Sequence, residues 1–263
     1  MNKKSLIISS SCIVVILLII FLILSVIEKN NHKEDVLNDE FNCSYKTTSQ
    51  NNKKYEKGNY TYSYITINYE GKDYTGWEVN VTDKDKEYID GKICKTINGD
   101  PIISANNMFQ YSNANEIDIT NFDTSSILFM QSMFRGTTAK VIKGLENMDT
   151  SKVMDMSNMF AEANIENLNL TKFNTGNVTN MMFMFSGAKI KNLDLTSFNT
   201  QNVKYIDGIF LQTETENIDI SNWDISKVTQ VKDFFYGCTA KIDFGNEEQE
   251  KAWHDLMYKP KYD

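Results

Sequence analysis

The densest set of reactive side chains lies in "VTNMMFMFSG", Val178 to Gly187, which carries Met181, Met182 and Met184 beside Phe183 and Phe185. Thioethers at this density are what a copper or haem site draws on, because soft sulfur selects soft metals. They are also what a packed core uses to fill irregular gaps. Other chemistry has little to work with. His32 and His254 are the only histidines, and a Cys-His or Ser-His-Asp arrangement in the body of the chain would have to be built on His254, with Cys238 as the available thiol. The sequence holds no Gly-rich phosphate loop, no HExxH, no CxxC and no Cys/His cluster, so phosphate, zincin and zinc-ribbon chemistry find no support. Carboxylate pairs occur throughout so acidic a chain and carry little information. The sequence therefore predicts no catalytic, cofactor-binding or metal-ligating residues, and a protein that is not an enzyme.

The methionines are explained by a repeat. Phe109, Phe134, Phe160, Phe185, Phe210 and Phe235 stand 25, 26, 25, 25 and 25 residues apart, and a fixed period of this size marks a solenoid or array. "IENLNLTKFNTGNVTNMMFMF" aligns with "IKNLDLTSFNTQNVKYIDGIF" and "TENIDISNWDISKVTQVKDFF", and the second unit has one extra residue near Lys143. Before each Phe runs a lead residue (Ile127, Val153, Val178, Val203, Val228), then Met130, Met156, Met181, Ile206 or Val231, then Met133, Met159, Met184, Ile209 or Phe234. The spacing i, i+3, i+6, i+7 is that of one helix face. Ile, Val and Phe replace Met in later units, which an apolar core tolerates and a sulfur ligand does not.

The other half of each unit alternates. "IDI", "LNL", "LDL" and "IDI" at Ile117–Ile119, Leu168–Leu170, Leu193–Leu195 and Ile218–Ile220 read as short half-buried strands. Asp123-Thr124, Asp149-Thr150, Asn174-Thr175 and Asn199-Thr200 follow as Asx turns and helix N-caps. The expected fold is an α/β repeat solenoid, with one short parallel strand and one short helix per 25-residue unit. It is preceded by a transmembrane helix and a small antiparallel β segment.

That transmembrane helix is the apolar run Leu6 to Ile27, behind Lys3 and Lys4. As a helix it would extend roughly 30 Å, a bilayer core. It is longer than a signal-peptide apolar region and lacks a small-x-small cleavage site. The expectation is a single-pass cell-membrane protein, N-terminus cytoplasmic and C-terminal body extracellular. Formal charge is −8, or −10 once Lys3 and Lys4 are set aside, and Arg135 is the only arginine. Nucleic acid is thereby excluded as a partner, since phosphate contacts need clustered cations. The resulting organisation is an anchor over 1–30, a polar tether over 31–57, a small β-rich lead-in and cap over 58–105, the repeats over 106–245 and a C-terminal capping helix over 246–263. An oxidising exterior allows a Cys43–Cys94 disulfide, which sequence alone leaves open.

The units "LDLTSFNTQNVKYIDGIF" and "NMDTSKVMDMSNMFAEANIENLNL" resemble the repeats of BspA-like leucine-rich-repeat surface proteins of bacteria, a class also seen in mycoplasma lipoproteins. The typical form is L-x-L-S-x-F-[DN]-T-S-x-V-x-x-M-x-x-M-F. The likeness covers roughly residues 106–245, and this chain departs from it in having an apolar anchor rather than a lipobox and in replacing Met in its last two units. The resemblance implies an extracellular, curved, strand-lined solenoid used for binding or adhesion, with no catalytic residues.

On this reading the polar centres of the strands, Asp118, Asn169, Asp194 and Asp219, with Thr171, Thr196 and Ser221 beside them, form a ladder for partner binding. The expected function is a membrane-anchored extracellular surface that binds proteins or cell-surface ligands. The alternative is a non-adhesive envelope scaffold that recruits another protein of the same cell. An envelope hydrolase stands third.

Overall fold

The structure is a computed structural model that describes residues 41–44, 54–229 and 231–258. It shows a β-solenoid. Five short strands mark successive coils: β8 (Glu116–Asp118), β9 (Val141–Lys143), β10 (Asn167–Leu168), β11 (Asn192–Leu193) and β12 (Asn217–Asp219), followed by β13 (Lys241–Asp243). Pairing is parallel, in three ladders: β5 (Tyr88–Ile89) with β8 and β9, β10 with β11, and β12 with β13. On a second side of each coil, single parallel bridges link Ser104, Phe129, Asp155, Asn180 and Tyr205 in one unbroken column. The extra residue of the second unit is absorbed after β9, where Gly144 adopts a left-handed conformation ahead of the 3-10 turn Leu145–Asn147.

The helix expected in each unit does not form, and the α/β assignment is corrected. The reason lies in where the amides go. Phe109, Phe134, Phe160, Phe185 and Phe210 donate to the carbonyls of Met133, Met159, Met184, Ile209 and Phe234 in the following coil, at 2.8–3.1 Å. The amides two residues before and after each of these Phe also reach the following coil, as at Ser132 to Ser157 and Gly136 to Ala161. The intervening amides close tight turns, as in Met133 to Met130, Arg135 to Ser132 and Thr137 to Phe134. A helix commits each interior amide to the carbonyl four residues back and leaves none for a neighbouring coil. Alternate use of amides needs two left-handed residues per coil. They recur at Asn107, Ser132, Asn158, Phe183, Gly208 and Asp233, and at Tyr111, Gly136, Glu162, Gly187, Gln212 and Gly237. Three-residue apolar spacing thus comes from successive turns, not from a helix face.

The apolar side chains fill the space inside the coils. Met130, Met133, Met156, Met159, Met181 and Met184 are fully buried, and no metal-binding group of three or more His, Cys, Asp or Glu exists among the described residues. The six repeat phenylalanines stack in one column, with centroids 5.3–5.9 Å apart and rings within 9° of parallel. Thr150, Thr175 and Thr200 form a buried polar column. Each hydroxyl donates to the carbonyl, and accepts from the amide, of Asn174, Asn199 or Asp224 in the next coil. The fifth unit has Ile225 where the others have Thr, and among the described residues a helix rather than another coil comes next, so nothing there would take such a hydroxyl.

Both ends are covered. At the front, β1 (Asn42–Cys43), β2 (Lys54–Lys57), β3 (Tyr60–Tyr69), β4 (Lys72–Val81), β6 (Thr96–Ile97) and β7 (Asp100–Ser104) form one sheet in the order β1-β6-β7-β4-β3-β2. It is mixed rather than antiparallel, because β4 pairs with β7, and β1 with β6, in parallel. A Cys43–Cys94 disulfide, with Cα atoms 5.7 Å apart, ties β1 to this cap. At the back, Asn246 accepts from the amides of Glu248 and Gln249 and starts helix α1 (Glu247–Met257). Its Trp253 packs on Phe234 and Trp223, with centroids 4.9 and 6.4 Å away.

No helix among the described residues is long and apolar enough to cross a membrane. The expected transmembrane helix and single-pass localisation, cytoplasmic N-terminus included, therefore stand corrected as unsupported. The run Leu6 to Ile27 that carried them lies outside the described residues, as does most of the expected tether.

Candidate functional surface

The outward side chains of the strands are set by the Asx turns that end them. The Oδ1 atoms of Asp118, Asn169, Asp194 and Asp219 accept from the amides of Thr120, Thr171, Thr196 and Ser221, at 2.9–3.1 Å. The Thr171 and Thr196 hydroxyls donate to the same oxygens, at 2.7 and 2.6 Å. These bonds to the Thr196 hydroxyl and amide hold the Asp194 carboxyl below the usual carboxylate range, and the same pair from Thr120 does so at Asp118. One atom of each side chain is spent on its turn. Among the described residues, the second oxygens of Asp194 and Asp219 and the amide nitrogen of Asn169 meet no hydrogen-bond partner, and each faces outward once per coil.

The seven expected residues do not form one ladder. Asn169 and Asp194 follow the paired strands β10 and β11, whereas Asp219 lies in a separate ladder opposite Asp243. Asp118 stands opposite Lys143, which pairs with Glu116 at 2.5 Å, and the Tyr88 hydroxyl reaches its second oxygen at 3.4 Å. The turn at Gly144–Asn147, which absorbs the one extra residue, separates this end from the rest. The recess on the strand face, lined by Asp194, Asn192 and Glu216 among others, is only about 170 Å³, below the size of a small-molecule pocket. The face suits a broad, shallow contact.

The residues with catalytic potential are set apart. His254 is exposed on α1 and stacks on Tyr258, with centroids 5.6 Å apart. It lines a cleft of about 710 Å³ between α1 and the last coil, with Phe235, Tyr236 and Phe244. Cys238 does not line this cleft. It is half-buried, and burial pushes its thiol above the usual range, which disfavours the reactive thiolate.

Sequence reasoning placed an antiparallel segment at β3–β4 but missed that this hairpin crosses the bridge side of the solenoid. Its tip is fastened by Tyr69, whose hydroxyl lies 2.7 Å from the Thr179 hydroxyl and 3.3 Å from the Met154 carbonyl, and by a Glu70–Lys204 ion pair at 2.7 Å. The available signal was strand length. Ten residues reach about 34 Å, several times the ~4.8 Å between neighbouring strands, so such a hairpin exceeds what one coil can cover.

A family profile described as "Mycoplasma protein of unknown function, DUF285" matches residues 81–140 and 130–246, together more than half of the chain. No curated protein and no solved structure matches.

Proposed function

From a chain that belongs to the DUF285 family of repeat proteins, we infer a binding function: the strand side of the solenoid recognises a protein or cell-surface ligand. We propose further that the repeats are of the BspA-like leucine-rich kind, a reading supported by the "LDLTSFNT" form of the unit. The observation that carries the binding reading is the display of one outward polar atom per coil at Asn169, Asp194 and Asp219, whose turn-side oxygens accept two hydrogen bonds at Asn169 and Asp194 and one at Asp219. Such a display is preorganised, so contact with a partner costs little side-chain ordering. The disulfide supports work in an oxidising compartment.

Fluorescently labelled protein, titrated onto intact cells and read by flow cytometry, tests the reading. Saturable binding that weakens in the Asp194→Ala, Asp219→Ala variant supports it. Absence of binding, or binding untouched when Asn169 is replaced as well, removes it.

A further inference from the structure

Between the hairpin β3–β4 and the coils beneath it lies a cleft of about 520 Å³, within the range of small-molecule sites. We propose that this cleft binds a small organic anion, a carboxylate or phosphate carried on an apolar or ring-shaped body.

The charge argument rests on Lys72 and Lys152, which enter the cleft from opposite sides, one on the hairpin and one on the solenoid. Neither forms an ion pair among the described residues, whereas Lys95, Lys143, Lys189 and Lys204 each hold a carboxylate within 3 Å. Unpaired lysines converging on one cleft stand out in a chain of formal charge −8. The one acid lining the cleft, Glu70, is engaged by Lys204. Asp149 is felt by Lys152 but lies outside the lining, and its Oδ1 accepts from the Ser151 amide at 2.9 Å.

The body of the ligand is specified by the floor. Leu128 and Met154 are half-buried there, an apolar surface that a neutral, charge-free wall would leave unselective. Lys72 lies over the Tyr74 ring, 4.9 Å from its centroid, which keeps its ammonium at the cleft wall. The Asn177 amide nitrogen donates to the Ser151 carbonyl at 2.6 Å, so the orientation of that carboxamide is fixed as well. The walls are rigid, because Tyr69 and Tyr74 both meet Phe129 edge-on, at 5.4 and 5.6 Å. A cation pair above an apolar floor, held in a preformed cleft, matches an anion with an apolar body better than a bare ion or a neutral ring.

Isotope-labelled full-length protein titrated with benzoate, phenyl phosphate and the neutral benzyl alcohol tests this by NMR. Saturable shifts at Leu128, Met154 and Thr179 with one or both anions, and none with benzyl alcohol, support the proposal. Which anion binds identifies the acid group. Affinity falls about ten-fold in the Lys72→Gln, Lys152→Gln variant, since each exposed charge contact contributes modestly, and is unchanged in Lys191→Gln on the strand face. Both lysines are exposed, so the variant folds, and its unperturbed spectrum away from the cleft verifies this. Equal binding of benzyl alcohol, unchanged affinity in the double variant, or binding of polyglutamate without either small anion overturns it. Asp194 and Asp219 lie outside the cleft, so the outcome is independent of the strand-face reading.

Discussion

Replacing Phe160 by Ala probes the stacked core where it is most continuous. The Phe160 ring is fully buried, lies 5.6 and 5.9 Å from Phe134 and Phe185 in near-parallel stacks, and touches Phe173 at 6.5 Å. Truncation of such a ring costs about 3–5 kcal/mol, from lost transfer energy and the cavity left behind. Phe235 occupies the same column at its end. It is half-buried and has a parallel neighbour on one side only, Phe210 at 5.7 Å. Half the burial and half the stacking scale its loss to about 2 kcal/mol. Urea unfolding of both variants, with slopes compared to detect partial unfolding of the array, measures the difference. Equal losses at the two positions, or a loss under about 1 kcal/mol at Phe160, would refute a core built from coil-to-coil stacking.

Four further outcomes follow from particular contacts. Thr175→Val strips Asn199 of its buried partner and costs about 1–3 kcal/mol. Thr124→Val is neutral or stabilising, because the Thr124 hydroxyl is buried without a partner among the described residues; chemical denaturation separates the two. Gly208 has φ +57, and a Cβ there would meet the Phe183 ring at 2.3 Å, so Gly208→Ala loses more than about 1 kcal/mol. The loss shrinks in a Phe183→Ala background, as a double-mutant cycle in thermal unfolding will show. Asp194 titrates below the ordinary carboxylate value of about 4. Because its folded pKa is depressed, its small contribution to stability is present above that value and is lost as pH falls through the folded midpoint. Thr196→Val raises the midpoint in an NMR titration.

The period, the buried methionines and phenylalanines, and the alternating strands were legible in the sequence, because burial inside a stacked coil leaves an apolar residue at each matching position. The turn run was misread because i, i+3, i+6, i+7 fits both a helix face and successive tight turns. What separates them is the left-handed column: Gly136, Gly187 and Gly237 at one position, and Asn107, Asn158, Gly208 and Asp233 at the other. Gly, Asn and Asp tolerate positive φ and weaken a helix, so their recurrence carried the signal, although Phe183 and Glu162 in the same columns obscured it. The strand-face residues were found from alternation alone, but their division between ladders was not. The break between β9 and β10 falls at the Gly144 turn, which one extra residue in the sequence marks without specifying, and nothing in the sequence marks the break between β11 and β12. The hairpin cleft was missed because Lys72 and Lys152 are brought together by tertiary folding across 80 positions of chain.

The central claim, that the chain bonds forward from coil to coil rather than back along a helix, is tested most directly by hydrogen-bond scalar couplings in labelled protein. The account predicts a coupling from the Phe160 amide nitrogen to the Met184 carbonyl carbon, across a bond of 2.9 Å. A coupling from Phe160 to Met156 instead, four residues back, would contradict it.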